Sequence, residues 1–460
     1  MSPNLPLAHS PAMRSFEAQW NARLTKRGPA ANDALSGLRH EAMRRFLTLG
    51  LPGQRDESWR HTNLRGIEAT SFGDVAYREL AGMPGAAARP RDQDSTSSAL
   101  SFLDPANEFT TRVLVNGLPV FPETGNQCLT NIQFSRLQDK CKEDSNLLTQ
   151  LSRLLSDSEQ RRWSLLNSAL FTDGLHIKIE GELATPVLLI HRTRGAEDWI
   201  ATHPRVVIEA SANARATIIE HHVAGGPKSL CNSATQLSIG DRAQIEHYRV
   251  FSTAPGTLHF DTLDIRQLQD SRCTQFTVAL GGGMIRTHIE THLDQPGATF
   301  DNYSLLVGHE ARHVDCVNVA VHAAPRTRSR QTARAIASGT SRVIFNSKVV
   351  VNQGAAQAES MQSSRGLLLS STAEIDSRPQ LEIHADEVKC AHGATTGRLD
   401  PDMLFYMLSR GLDRATAQSL LVYAFLDDVL TGMSLGSARS AIESELIAQL
   451  PDSELLRGFR

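Results

Sequence analysis

The sequence predicts a mainly β protein, a β-helix of stacked coils that has helical regions before and after it. Three observations support this. From about residue 172 onward, many short runs alternate apolar and polar residues with a period of two. Small turns recur about every 27–29 residues, with no helix between them. The chain is 40% hydrophobic but only 5% aromatic, which suits an aliphatic core in which each coil covers its neighbour.

Residues 1–170 are expected to form a mostly helical region. Phe16, Trp20 and Leu24 are spaced four apart, which gives one face of an amphipathic helix. A second helix is predicted in residues 34–53 and ends near Gly50, and a leucine-rich helical pattern returns in 146–169.

Residues 171–398 are expected to form the β-helix. Runs such as 216-ATIIEHH-222 and 317-VNVAVHA-323 alternate apolar and polar residues. Turn residues, including Asn213, Asp241 and Gly297, separate the runs. A sandwich or barrel is the alternative. The β-helix is favoured because the turns recur regularly and strong Asn-Gly or Asp-Gly hairpin signals are lacking.

Residues 399–460 are expected to be helical again. Asp400 is a predicted N-cap followed by Pro401, and Gly411 ends this helix. The next helix, 414–430, is apolar on more than one face, and this extra face packs on the chain's own β region or binds a partner. Its core stripe is predicted to exclude Val422 and Leu426 and to contain Ala417, Leu420, Leu421, Ala424, Phe425 and Val429.

Composition excludes several classes of protein. The formal charge of −3 over 460 residues leaves no basic face for nucleic acid. No apolar run approaches the roughly 20 residues that span a bilayer, and the N-terminus lacks a signal-peptide pattern. The six cysteines are scattered without a C-x-x-C pair. A cytoplasmic protein with reduced thiols, binding neither nucleic acid nor membrane, is therefore expected.

The most distinctive motif is the pair Cys390 and His392, two residues apart where the β pattern gives way to helix. Four interpretations remain open. The pair is too small for a complete zinc site within one chain. A nucleophile–base pair lacks an obvious third group. The third interpretation is an iron or zinc site shared with a partner chain, and the fourth is a buried cysteine beside a hydrogen-bonded histidine.

Several histidines elsewhere in the chain are further candidates for chemistry. His221 and His247 each end an Ile-Glu-His sequence, and His288 and His292 flank a similar one; solvated strand faces explain them most simply. No phosphate-binding loop or dinucleotide fingerprint is present, so the chain is not expected to hydrolyse ATP. A stand-alone β-helix enzyme acting on carbohydrate is the alternative function, although no clustered acidic motif supports it.

The segment 378-RPQLEIHADEVKCAHGATTGRLDPDMLFYMLSRGL-412 resembles the SufB/SufD family of the SUF iron–sulfur cluster assembly system. Two further segments carry the resemblance, 342-RVIFNSKVVVNQGAAQAESMQSSRGLLLS-370 and 51-LPGQRDESWRHTNL-64. The chain has Gly393 where the SufB branch typically has glutamate, so the resemblance is to the SufD branch.

The resemblance implies a right-handed parallel β-helix flanked by N- and C-terminal helical regions. It implies a non-catalytic scaffold subunit that forms a heterodimer with a SufB paralogue and binds the SufC ATPase through its C-terminal helices. A homodimer of the isolated chain is the alternative assembly, and the sequence does not decide between the two. A transient iron–sulfur cluster, or iron, would be held at the SufB–SufD interface by His392, with Cys390 as a second candidate ligand. The predicted partner-binding residues are Phe405, Tyr406, Arg410, Leu421 and Phe425.

Overall fold

The computed structural model describes residues 10–27, 35–74, 108–121, 128–156, 158, 161–194, 197–224, 226 and 228–449. Within these ranges the chain forms a parallel β-solenoid with helices on both sides, which confirms the predicted fold class. None of the described helices is both long and apolar enough to cross a membrane.

The amino-terminal part contains helices and short strands. The helices are α1 (Pro11–Arg27), α2 (Ser36–Leu49), α3 (Arg65–Glu68), α4 (Leu137–Glu143), α5 (Ser145–Ser152) and α6 (Arg162–Leu170), with a 3₁₀ turn at Glu57–Trp59. The strands are β1 (Gly73–Asp74), β2 (Thr110–Val115), β3 (Leu118–Val120), β4 (Cys128–Leu129) and β5 (Ile132–Arg136). The helical period of the apolar residues predicts α1, α2, α5 and α6 but not these strands. Strands β2 to β5 extend the two sheets of the solenoid beyond the first coil of the solenoid.

The solenoid is built from strands that alternate between two parallel sheets. The first sheet contains β6 (Leu175–Ile179), β8 (Ile200–Thr202), β9 (Arg205–Ala210), β11 (Ser229–Ile239), β13 (Leu258–Gln267), β15 (Met284–Leu293), β17 (His313–His322), β19 (Arg342–Val351) and β21 (Glu374–Ile383). The second contains β7 (Val187–Thr193), β10 (Arg215–Ala224), β12 (Gln244–Phe251), β14 (Arg272–Ala279), β16 (Thr299–Gly308), β18 (Arg328–Ala337), β20 (Glu359–Leu368) and β22 (Lys389–Arg398).

One turn of each coil repeats the same backbone conformation. A residue with positive φ stands two positions before each even-numbered strand from β10 to β22, namely Asn213, Arg242, Asp270, Gly297, Arg326, Gln357 and Glu387. The turns also stack, because the Asn213 amide donates to the Asp241 carbonyl at 2.8 Å and the Arg242 amide to Gln269 at 2.8 Å. This stack confirms the recurring turn that the sequence predicts and explains the in-register pairing of successive coils.

Aliphatic side chains from both sheets fill much of the interior. Ile208, Leu237 and Ile265 form one column of inward-facing residues, and Val187, Ile218 and Ile245 are buried against the same cluster. Parallel in-register pairing places equivalent residues above one another, so each coil buries the apolar side chains of the coil below it.

The carboxy-terminal helices are α7 (Pro401–Ser409), α8 (Arg414–Leu430) and α9 (Gly436–Gln449). Their starts follow the predicted caps: Asp400 accepts hydrogen bonds from the Asp402 and Met403 amides, and Asp413 accepts one from the Thr416 amide. Helices α8 and α9 pack on the outer face of the second sheet, over a ladder of stacked rings formed by Tyr248, Phe276 and Tyr303.

The predicted core stripe of α8 is wrong in part. Val422 and Leu426, predicted to lie outside it, are buried against the solenoid, whereas Ala424 is exposed and Leu421 and Phe425 are only half-buried. The reason is that α8 is apolar on two faces, so its sequence pattern does not show which face is buried. The position of the sheet beneath the helix decides which face is covered.

The segment that follows α2 lies along the outer face of the first sheet. The Trp59 ring packs on the Arg286 guanidinium, whose Cζ lies 3.8 Å from the ring centroid, and Thr62 donates to Asp315 at 2.5 Å. Glu57 forms an ion pair with Arg378 of β21. The segment 51–64, which carries part of the family resemblance, thus contacts the solenoid over four coils, from β15 to β21.

Candidate functional site

The solenoid ends at an open coil. Among the described strands, β22 pairs only with β20 and β21 only with β19, so within the described residues each of these ten-residue strands has one unpaired edge. Most residues of β22 are exposed, in contrast to the buried strands of the coils beneath it. An exposed strand edge presents free N–H and C=O groups that can pair with another chain.

Cys390 and His392 both lie on the inward face of this last coil. Their register partners in β20 are Ser360 and Gln362, which are buried, and Ser347 of the opposite sheet donates to the Gln362 side chain at 3.0 Å. Residues in register on parallel strands point the same way, so the thiol and the imidazole share this face. Cys390 packs against the interior apolar cluster, whereas His392 is exposed because no further coil covers it in the part of the chain that the structure describes.

His392 is the last member of a polar column inside the solenoid. Successive coils place His247, Gln275, Asn302, Gln331, Gln362 and His392 in register. The five residues before His392 are buried, and the side-chain oxygens of Gln275, Asn302 and Gln331 lack hydrogen-bond partners. The sequence signal for this column is a polar amide side chain that recurs every 27 to 31 residues, at positions 275, 302, 331 and 362, a spacing that local periodicity does not reveal.

The Cys390 thiol is protonated in the free chain. Partial burial raises its pKa, and a hydrogen bond with the Ser360 backbone opposes this rise only in part. Because a metal binds the thiolate, Cys390 must lose its proton when a metal arrives. His392 therefore supplies an exposed imidazole, and Cys390 supplies a thiol that must be deprotonated before it can bind a metal.

Helix α7 presents the second exposed surface near this coil. Phe405 is 72% exposed, and Met403 and Tyr406 are each 58% exposed, which is unusual for large apolar side chains on one short helix. The Arg410 guanidinium lies 5.1 Å from the centroid of the Tyr406 ring. We call Met403, Phe405, Tyr406 and Arg410 the α7 surface; the predicted residues Leu421 and Phe425 are half-buried on the neighbouring helix α8.

The histidines that were expected on solvated strand faces are mostly buried. His221 and His247 are 0% exposed and His288 is 4% exposed, so that expectation is wrong. Glu220 explains part of the arrangement: it accepts hydrogen bonds from His191 at 3.0 Å, from His247 at 2.9 Å and from Thr235 at 2.9 Å. Burial raises the pKa of Glu220, but the Arg249 charge and the two histidine hydrogen bonds outweigh it and hold that pKa well below its usual value.

Comparison with known proteins gives a consistent result. The family model for the SufBD core domain of the SUF system of iron–sulfur cluster assembly matches residues 191–425. The chain is 26% identical to the iron–sulfur cluster assembly protein SufD of Escherichia coli over 451 residues, which is 96% of this chain and 97% of that protein.

Two further relatives agree with this match. An iron–sulfur cluster assembly SufBD family protein of Synechocystis is 29% identical over 416 residues, 86% of each chain. SufD of Bacillus subtilis is 24% identical over 291 residues, 62% of this chain and 66% of that protein. With a family model that covers half of its residues and a parallel β-solenoid as its fold, this chain belongs to the SufB/SufD family of the SUF iron–sulfur cluster assembly system.

Proposed function

We propose that the protein is a non-catalytic scaffold subunit on which an iron–sulfur cluster is assembled at an interface with a SufB-type paralogue. The observation that carries this proposal is the open last coil, which presents two unpaired strand edges and an inward-facing Cys390–His392 pair at the same place. A partner that covers this coil would complete a ligand set that one chain leaves incomplete.

The chemistry of the pair suits a transient cluster. Thiolate and imidazole are soft and borderline ligands that bind iron. His392 is exposed and accessible from the open end, whereas Cys390 is half-buried and carries a raised pKa. We therefore assign His392 as the primary ligand and Cys390 as a secondary one that binds after losing its proton.

The unpaired edges define how the paralogue would bind. Strands β21 and β22 each offer ten residues of edge backbone, and the exposed side chains of β22 are mostly small, such as Ala391, Gly393 and Thr395. Small side chains allow a second backbone to approach closely, so strand-to-strand pairing with the paralogue is favoured. A second copy of this chain would use the same edges when the paralogue is absent.

The α7 surface is the proposed docking site for a SufC-type ATPase. It combines exposed aromatic side chains with an arginine, the residue types that are enriched at the centres of protein interfaces. Leu421 and Phe425 would extend the contact onto α8. Force produced by the ATPase could then reach the last coil, because α7 begins three residues after β22 ends.

The first test is co-expression of the chain with its paralogue and the ATPase. We expect the three proteins to co-purify as one complex that acquires an iron–sulfur cluster on anaerobic reconstitution. A chain that remains alone when both partners are present and folded would refute the proposal. Cleavage of a polysaccharide by the isolated chain would favour the carbohydrate-active alternative, which the family match does not support.

A second test separates the two docking surfaces. Phe405→Glu places a charge in the centre of the α7 surface, so we expect at least a tenfold loss of ATPase recovered with the complex while the paralogue is retained. Leu268→Glu is the matched control, because Leu268 is an exposed leucine (41%) in the turn between β13 and β14, and β14 lies four strands before β22 in the second sheet. Equal recovery of the ATPase with both variants would exclude the α7 surface as its docking site.

A further inference from the structure

A chain of hydrogen bonds runs through the interior of the solenoid and ends below Cys390. His322, the last residue of β17, lies 2.8 Å from the Thr327 hydroxyl through Nδ1 and 2.8 Å from the Ser329 hydroxyl through Nε2. The Ser329 hydroxyl lies 2.9 Å from that of Ser360. The four side chains that form this chain are each 5% exposed or less, so bulk water does not compete for their hydrogen bonds.

Strand register places the end of this chain under the last coil. Ser329, Ser360 and Cys390 are register partners on β18, β20 and β22, and their side chains point into the solenoid. Register partners on neighbouring strands are about 4.8 Å apart, so the Cys390 side chain lies on that of Ser360. The thiol also forms a hydrogen bond with the Ser360 backbone. Ser360 therefore supports Cys390 from the coil below.

A backbone carbonyl at the start of the chain fixes the proton positions on the histidine ring. Ala324 O can only accept, so the Thr327 hydroxyl donates its single proton to that oxygen, at 2.9 Å. The Thr327 oxygen must then accept from the Nδ1–H group of His322. Burial lowers the pKa of His322 to about 4, so the ring is neutral at pH 7 and carries one N–H group. Nε2 therefore holds a lone pair that accepts a hydrogen bond.

The direction of the two remaining hydrogen bonds follows from that lone pair. Because His322 Nε2 accepts, Ser329 donates its single proton to the ring, and the Ser329 oxygen accepts from Ser360. The hydroxyl proton of Ser360 is thus committed to Ser329. The Ser360 oxygen presents only lone pairs to Cys390, so it acts there as a hydrogen-bond acceptor and not as a donor.

This direction matters for a sulfur that is bound to a metal. Hydrogen bonds donated to a thiolate ligand stabilise its charge and tune the metal centre. The Ser360 hydroxyl withholds such a donor, so the Cys390 sulfur keeps its hydrogen bond with the Ser360 backbone but gains none from the hydroxyl. A thiolate with fewer donors is protonated more easily and leaves a metal more easily.

We propose that His322 is a positioning residue for the proposed interface site. Through Ser329 it fixes the Ser360 hydroxyl as an acceptor below Cys390, and this keeps the bond between Cys390 and iron weak enough for a cluster to leave. The role rests on the proposed function, in which Cys390 is a secondary ligand. The directed hydrogen bonds, in contrast, are a property of the free protein and are testable without a cluster.

The first test determines the tautomer of His322 by NMR at pH 7, in the full-length chain with ¹⁵N-labelled histidines. We expect a proton on Nδ1 and none on Nε2, and the signals of this ring are those that are absent from His322→Gln. Thr327→Val removes the acceptor of the Nδ1–H group, so the proton should move to Nε2. A wild-type ring with its proton on Nε2, or with protons on both nitrogens, would overturn the proposal.

The second test measures how fast a chelator removes iron from the reconstituted three-protein complex. Ser329→Ala releases the Ser360 proton, which can then be donated to the Cys390 sulfur. We expect iron loss to become roughly tenfold slower, the effect of one hydrogen bond to a charged group. Ser329→Thr keeps the hydroxyl and should retain the wild-type rate. Ser304→Ala, which removes a buried hydroxyl of β16 outside this chain, is the matched control and should also leave the rate unchanged.

The sign of the change separates a released donor from a structural defect. A packing defect would speed the loss of iron, whereas a new hydrogen bond to the sulfur slows it. An unchanged or faster rate in Ser329→Ala, with a wild-type complex that holds its cluster, would overturn the proposal. A wild-type complex that acquires no cluster would refute the proposed function and this role with it, while the NMR measurement would still decide the direction of the hydrogen bonds.

Discussion

Replacing His392 with alanine should reduce the cluster recovered on the three-protein complex by about 10- to 100-fold, while the complex still assembles. The side chain is exposed on the last coil and supports no packing in the free chain, so its loss removes a ligand without disturbing the fold. The measurement is iron and acid-labile sulfide per complex after anaerobic reconstitution, together with the visible absorption of the cluster. Cys390→Ala should give a smaller loss, because its thiol must first be deprotonated.

His384→Ala is the matched control for this experiment. His384 is a histidine of the same coil that follows β21 directly, is largely exposed and forms an ion pair with Glu382 on the outward face. We expect its replacement to leave the cluster content unchanged. Equal losses for His384→Ala and His392→Ala would show that the interface, and not a specific ligand, was disturbed.

Lowering the pH from 7 to 5 should destabilise the solenoid by about 6 kcal/mol through His288, His313 and His322 alone. Burial lowers the pKa of His288 to about 3 and those of His313 and His322 to about 4. Each ring is neutral when folded but takes up a proton at about pH 6.5 when unfolded. The unfolded state therefore binds more protons below pH 6.5, and each histidine costs about 2 kcal/mol by pH 5.

The sign of this effect defines the pH window. The contribution of these histidines to the free energy of unfolding is fully present above about pH 6.5. It is lost progressively as the pH falls toward the pKa values of the folded state, near 3 to 4. Denaturant unfolding followed by circular dichroism at pH 8, 7, 6 and 5 measures it. We expect little change from pH 8 to 7 and a steep loss below 6.5.

His288→Gln serves as the internal check on the pH prediction. A glutamine cannot be protonated in this range, so this variant should lose about 2 kcal/mol less than the wild type between pH 7 and 5. Because domains are typically stable by only about 5–15 kcal/mol, the wild-type loss is large enough to measure. Equal unfolding free energies at pH 7 and pH 5 would contradict this account of the buried histidines.

The sequence by itself determined the repeat, the caps and the family. Alternating residues and turns spaced by about 28 residues require strands that stack in register, and Asp400, Asp413 and Gly411 mark helix ends through local backbone chemistry. The Cys390–His392 pair was also visible, because two residues of a strand that are two apart share a face whatever surrounds them.

Only the tertiary structure decided which faces are covered. Whether the polar face of an alternating strand is exposed to solvent or buried depends on what packs against it. The pattern therefore predicts solvent exposure for His221, His247 and His288, although all three are buried. The same reason misplaced Val422 and Leu426 on α8. Burial and the hydrogen bond between Ser329 and Ser360 arise from contacts between distant parts of the chain, and local periodicity carries no information about such contacts.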